Sequence, residues 1–162
     1  MYLIDANAFI EASRHYYSFN LAPRYWSWLH EQSVAGTIGS IKAVYEEIAD
    51  GDDDLSAWVR DNTPDEFWLQ ENDDSVAAIG DLAAWAVGPT RQFTQAAIDE
   101  FMASADLRLV AQASALNATV ITREVPSPDS RKRVKLPDAA AAVGVACLQP
   151  FQVYERLGLR FA

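Results

Sequence analysis

The chain has 162 residues, half of them apolar, with five Trp, six Tyr and seven Phe, a composition that excludes a disordered polypeptide and suffices for one domain, 1–162, with a proper core. No apolar stretch approaches the about 20 residues a membrane helix needs. The N-terminus lacks a basic region followed by an apolar core, and the single Cys147 excludes an internal disulfide framework; a cytoplasmic location is expected. The net charge of −10 argues against a uniformly nucleic-acid-binding surface, yet Arg131-Lys132-Arg133-Val134-Lys135 holds four of the thirteen basic residues.

Tyr2-Leu3-Ile4 is a short apolar run at the terminus and predicts a buried strand of a parallel sheet, with Asp5 at its carboxyl end. Good helix formers follow from Ala6 to Arg14. Ala22 to Gln32 predicts a second helix, with Tyr25, Trp26, Trp28 and Leu29 at helical spacing and Pro23 in its first turn. Thr37-Ile38-Gly39 reads as strand two, Ser40 as an N-cap, and Ile41 to Ile48 as a helix stopping at Gly51. Helices are expected over Asp53–Asp61, Asp74–Val87 and Gln92–Ala103, with a break at Gly88-Pro89. Asp106 opens a further helix over Leu107–Leu116, closed by Asn117. Ala118 to Thr122 is β-branched and apolar, a buried strand; Pro126 to Pro137 is a polar, basic loop. Val143 to Leu148 is the last expected strand and Phe151 to Leu157 a terminal helix. Strands separated by helical patterns predict βαβ units around a parallel sheet, the α/β class.

Acids recur at the strand ends. Asp5 ends strand one, Glu46 and Glu47 lie on the helix after strand two, Asp106 begins the helix before the 118–122 strand, and Glu124 follows that strand. Parallel strands point their carboxyl ends to one edge, where α/β proteins bind ligands. Three or four carboxylates gathered there would require a cation, because like charges raise one another's pKa. Oxygen ligands without a Cys–His cluster point to Mg²⁺ or Mn²⁺, and such an ion would serve hydrolysis of a phosphodiester by activated water.

Four pieces in order, Leu-Ile-Asp-Ala-Asn (3–7), Glu-Ile-Ala-Asp-Gly (47–51), Asp-Leu-Arg-Leu-Val-Ala-Gln-Ala (106–113) and Val-Ile-Thr-Arg-Glu (120–124), span most of the chain. Together they resemble the PIN-domain ribonucleases, the family of the VapC-like toxins. The tail Val-Lys-Leu-Pro-Asp-Ala (134–139) with Val-Gly-Val is similar to a PIN-like branch containing DUF4411 proteins. The resemblance implies a three-layer α/β/α sandwich with a central parallel sheet, a Mg²⁺-dependent endoribonuclease, an antitoxin partner and a homodimer. Position by position it implies Asp5, Glu47 and Asp106 as metal-binding acids, with Asn7 and Thr122 supporting them. Glu124 is the candidate fourth metal-binding acid, standing where the family more often has Asp or Asn, and the basic loop replaces the family's short Asp-Phe.

Several of these residues have ordinary alternatives. Asp5 and Asp106 are also good helix caps. Glu46 and Glu47 lie about 100° apart on a helix, so one of them points at the site, and the sequence match favours Glu47. Asp129 is a weaker substitute for Glu124. Arg131, Lys132, Arg133 and Lys135 form either a solvated loop or a resting place for a phosphate backbone. His15 and His30 read as surface or packing residues, and Tyr25, Trp26 and Trp28 as core or dimer contact. The alternative function is a non-catalytic PIN-like module that binds RNA or protein. A haloacid-dehalogenase-like phosphatase ranks last, because it needs a second Asp where Asn7 stands.

Overall fold

A computed structural model describes residues 1–161. It has the α/β architecture expected for a three-layer sandwich: an all-parallel five-stranded central sheet with nine α-helices among the described residues. The sheet order is β3-β2-β1-β4-β5, with β1 Tyr2–Ile4, β2 Ile38–Ile41, β3 Trp68–Leu69, β4 Thr119–Ile121 and β5 Cys147–Leu148. The chain divides into two compact units.

Unit 1 comprises residues 1–70, 121–123 and 148 onward. It carries α1 (Ala6–Glu11), α2 (Pro23–Ala35), α3 (Lys42–Ala49), α4 (Asp54–Asn62) and α9 (Pro150–Arg156), with β1, β2, β3 and the carboxyl ends of β4 and β5. Leu3, Ile4, Phe9, Tyr25, Leu29, Ile38 and Val44 fill its core. The helix expected through Arg14 stops at Glu11 and continues as a π-helical turn, Ala12–Tyr16, in which Tyr17 N–H reaches Ala12 O at 2.7 Å. Helix α2 ends at Gly36, whose φ of 74° supplies the left-handed cap. Ser40 is not the cap the sequence suggested. It lies inside β2, and its buried hydroxyl donates to Ile4 O at 2.7 Å, because a hydroxyl sealed in a sheet must find a carbonyl. Strand β3 escaped the sequence reading, since two residues cannot display an alternation. Tyr25 and Tyr154 share a 2.8 Å hydroxyl bond, with Tyr17 stacked on Tyr25 at 4.4 Å; the α2 aromatics are core.

Unit 2 comprises 71–120 and 124–147, with α5 (Asp73–Val87), α6 (Gln95–Ala103), α7 (Ala105–Leu116) and α8 (Leu136–Ala142). Helix α5 packs along α7, with Leu82, Leu107 and Leu109 buried. Ser104 is the N-cap of α7, its hydroxyl accepting from Leu107 N at 3.4 Å, and Asn117 closes it at φ 52° as expected. Helix α8 occupies the end of the expected loop: Pro137 in its first turn, read as loop punctuation, is a residue that a first turn accepts. The strand expected from Val143 contracts to Cys147–Leu148, because Val143-Gly144 leaves α8 through a turn with Gly144 at φ 72°.

Candidate active site

In a parallel sheet, the place where successive connections leave in opposite directions opens a crevice at the strands' carboxyl ends. Here β1 leads toward β2 on one side and β4 toward β5 on the other, so the switch point lies between β1 and β4. Asp5 N–H donates to Ile121 O at 3.1 Å across that junction. The residues that leave the two strands there are Asp5 and Thr122.

Asp5 is 2 % exposed. One carboxylate oxygen accepts the Ala8 N–H at 2.7 Å, capping α1, and the other accepts the Thr122 hydroxyl at 2.6 Å. Both readings of Asp5, cap and strand-end acid, therefore describe the same side chain. The carboxylate is fixed by one backbone donor and one side-chain donor, from residues 117 positions apart for the latter. Thr122, 1 % exposed, is held in turn by its own N–H on Leu148 O at 3.1 Å.

The surroundings are electrostatically unusual. Burial pushes the Tyr154 hydroxyl well above the usual tyrosine range, with the charge of Asp5 adding to the rise and that of Arg123 opposing it. Tyr25 is likewise held high, by burial first and then by Tyr154. Both phenols stay neutral, and the charges of Asp5 and Arg123 both reach Tyr154. Arg123, directly after Thr122, carries no signal of a role in the sequence. Its Nε meets Glu11 at 2.6 Å and its Nη2 donates to the Tyr16 hydroxyl at 2.8 Å, the guanidinium lying 4.2 Å from the Tyr16 ring centroid. Glu11 and Tyr16 belong to α1 and the π-helical turn, so that irregular segment positions a cation beside Thr122.

Asn7 is exposed in the first turn of α1. Glu47 and Glu46 are exposed on α3; desolvation of the Glu47 carboxyl nevertheless pushes its pKa up.

The remaining expected residues belong to unit 2. Asp106 is half-buried in the first turn of α7, where a negative charge favours the helix dipole, and it lines a pocket of about 20 Å³ with Arg133 and Glu100. The Glu124 carboxylate accepts Leu136 N–H at 2.8 Å and faces Arg133 at 3.4 Å, so it satisfies an otherwise unpaired donor at the start of α8. Arg131 and Lys132 are exposed, and Lys135 is half-buried at the α8 N-cap position. Asp129 is exposed. Asp138, in the tail segment 134–139, is buried; it accepts Ser127 N–H at 3.0 Å and faces Arg91 at 3.7 Å. Arg91 donates to Ser127 O and Ser130 O and lies 4.7 Å from the Phe93 ring centroid, tying down the basic loop. Asp138 carries a signal in the sequence, a charge directly before the alanine run 139–142, whereas Arg91, among Pro89, Thr90 and Gln92, carries none.

Among the described residues, no three His, Cys, Asp or Glu side chains gather closely enough to hold a metal ion by themselves. Mg²⁺ does not require such a cage: it keeps several waters and is commonly held by one or two carboxylates together with substrate phosphate oxygens. The expected ligands in unit 1, Asp5 and Glu47, offer oxygen donors only, the kind of ligand that Mg²⁺ takes.

Fold and geometry thus define an α/β protein with a buried, oriented carboxylate at a topological switch point. The family model described as Domain of unknown function (DUF4411) matches residues 2–161, and the chain belongs to that family. No curated protein and no solved structure matches it. No helix among the described residues is long and apolar enough to cross a membrane.

Proposed function

We propose that this protein is a PIN-like, Mg²⁺- or Mn²⁺-dependent endoribonuclease working at the β1/β4 switch point, and that it is the toxin of a toxin–antitoxin pair. The observation that carries the reading is Asp5: a nearly sealed carboxylate at the ligand-binding edge of the sheet, aimed by Thr122. Asp5 would hold the ion, with Glu47 of α3 as the second acid; a bound divalent ion supplies phosphoryl polarisation and an acidified water. Thr122 keeps Asp5 in one rotamer by donating to it. Arg123 offers a guanidinium to a phosphate oxygen when Tyr16 and Glu11 release part of its donor set. Its desolvation gives Glu47 a raised pKa, so it would take up a cation more readily as pH rises.

A second reading, a PIN-like module that binds RNA or protein without cutting, draws support from the lack of a three-acid cluster among the described residues. One assay separates the two. Single-stranded RNA is incubated with protein and Mg²⁺, with and without excess chelator, and the product ends are analysed. Attack by water predicts 5′-phosphate and 3′-hydroxyl ends, loss of cleavage in chelator, and a fall of about 100-fold or more in Asp5→Asn. Cyclic phosphate ends, chelator-resistant cleavage or an active Asp5→Asn would overturn the nuclease reading. Intact RNA with measurable binding supports the non-cutting module.

A further inference from the structure

A second feature of unit 1 lies along the same sheet edge. The register pairs Ser40 with Trp68 and Ile41 with Leu69, so the next residues, Lys42 and Gln70, leave β2 and β3 side by side. On β1 and β2 the register pairs Leu3 with Gly39, which continues to put Asp5 level with Ile41. Strands lie about 4.8 Å apart, so β3 stands about 10 Å from β1 on the carboxyl edge.

At this end of β2 and β3 opens a cavity of about 310 Å³, lined by Lys42, Tyr45, Arg60, Asp65, Trp68 and Gln70 among others. That is the lower end of the size range for small-molecule sites. Tyr45 and Trp68 are half-buried and meet edge to face, ring centroids 5.1 Å apart. Trp68 is oriented by its indole N–H, which donates to Thr63 Oγ1 at 2.8 Å, and Thr63 is anchored on Val59 O at 2.6 Å. Arg60 is held by Nη1 bonds to Ala49 O at 2.6 Å and Gly51 O at 3.1 Å. Lys42 is exposed and has no ion-pair partner among the described residues, in a chain of net charge −10. The cavity thus combines fixed aromatic surface, two cations on its rim, and in Asp65 and Gln70 side chains able to accept from amino and imino groups.

We infer that this cavity binds one nucleotide of single-stranded RNA, its base against Tyr45 and Trp68 and its phosphate on Lys42. The inference rests on the RNA reading of the Asp5 site and extends it to a neighbouring position of the same strand. Aromatic faces suit any base, because every base has a π-face, and a paired base in a duplex could not enter. Asp65 and Gln70 can accept from the amino or imino donors that each of the four bases carries, so they hold a base without selecting one.

The test is equilibrium binding of fluorescein-labelled single-stranded RNA, in chelator so that no cleavage occurs, to the wild-type chain and three variants. Tyr45→Ala and Lys42→Glu are each expected to weaken binding about tenfold, and Lys42→Glu to reduce the salt slope by about one. Arg24→Glu, the same charge change on the exposed face of α2, is expected to leave affinity within about twofold. Photo-cross-linking of 4-thiouridine RNA is expected to label Tyr45 or Trp68. Wild-type RNA binding that Tyr45→Ala and Lys42→Glu both retain, with their thermal unfolding unchanged, overturns the cavity and leaves the nuclease reading standing. No RNA binding by the wild-type chain also overturns the cavity, and the cleavage assay with end analysis then decides the nuclease reading separately.

Discussion

Asp5 and Glu124 look alike in sequence, each an acid just beyond a buried parallel strand, yet the two units use them differently. In unit 1, Asp5 is held by Ala8 N–H and the Thr122 hydroxyl at the switch point. In unit 2, Glu124 caps α8 through Leu136 N–H and faces Arg133. Position after a strand brings an acid to the ligand edge; the donors that meet its oxygens decide what it does there. Unit 2 repeats the lesson in Asp138, a buried acid enclosed by Arg91 and Ser127. Its carboxylate stabilises a loop.

The contrast can be broken first where the expected effect is largest. Asp138→Asn removes one partner of a buried ion pair and should lower the stability of the chain by about 3 kcal/mol in urea unfolding. Loss below about 0.5 kcal/mol, the scale of an exposed pair, would mean that Arg91 and Asp138 do not hold the loop.

Next comes Tyr154→Phe, which leaves the buried Tyr25 hydroxyl without its 2.8 Å partner. A destabilisation of about 1–3 kcal/mol is expected. The raised pKa values also carry a sign. The unfolded chain releases its tyrosine protons near pH 10, whereas folded Tyr25 and Tyr154 hold theirs above it. The stability these two groups contribute is complete below about pH 10 and falls as pH rises beyond it. Ultraviolet titration should find two phenols that ionise only on unfolding; all six titrating freely in the folded chain would contradict the burial.

Thr122→Val keeps the shape and removes the hydroxyl donor to Asp5. Stability should fall by about 1 kcal/mol, RNA cleavage by about tenfold, with Thr122→Ser restoring most of it. Equal cleavage by Val and Thr would leave Thr122 a plain strand residue.

The smallest effect belongs to Glu47. Its folded pKa is raised, so the folded chain binds its proton more tightly than the unfolded chain, and the associated stability is lost as pH rises above about 4.3, the ordinary glutamate value. Glu47→Gln should therefore melt at or slightly above the wild-type temperature at pH 7 and match it near pH 4. Mg²⁺ should narrow the pH 7 difference if Glu47 takes the ion. A lower melting temperature for Glu47→Gln at pH 7 would reverse the sign and refute the desolvation account.

Much of this was legible in the chain. Tyr2-Leu3-Ile4, the Ala118–Thr122 run, Asn117 and the alanine-rich α5 announced themselves through periodicity and caps, because those signals are local. Asp5 was legible for the same reason, as an acid ending an apolar run at the terminus. The hydroxyl bond from Thr122 was not, since it joins residues 117 positions apart. Ser40 illustrates the opposite failure: a Ser before a helical pattern reads as a cap, and only the neighbouring strand reveals that Ile4 O claims its hydroxyl. Helix α8 hid behind Pro137 and the basic loop, and with it the reason Glu124 has a backbone donor to meet. The nucleotide cavity depends on a two-residue strand that no alternation could signal.

The most direct test of the central contrast is the initial rate of RNA cleavage in Mg²⁺ by Asp5→Asn and Glu124→Gln side by side, each checked for folding by circular dichroism. The account predicts a loss of about 100-fold or more for Asp5→Asn. For Glu124→Gln it predicts a rate within about threefold of wild type and a stability lower by about 1 kcal/mol, the value of a helix cap. A Glu124→Gln chain as inactive as Asp5→Asn, or an Asp5→Asn chain as fast as wild type, would contradict it.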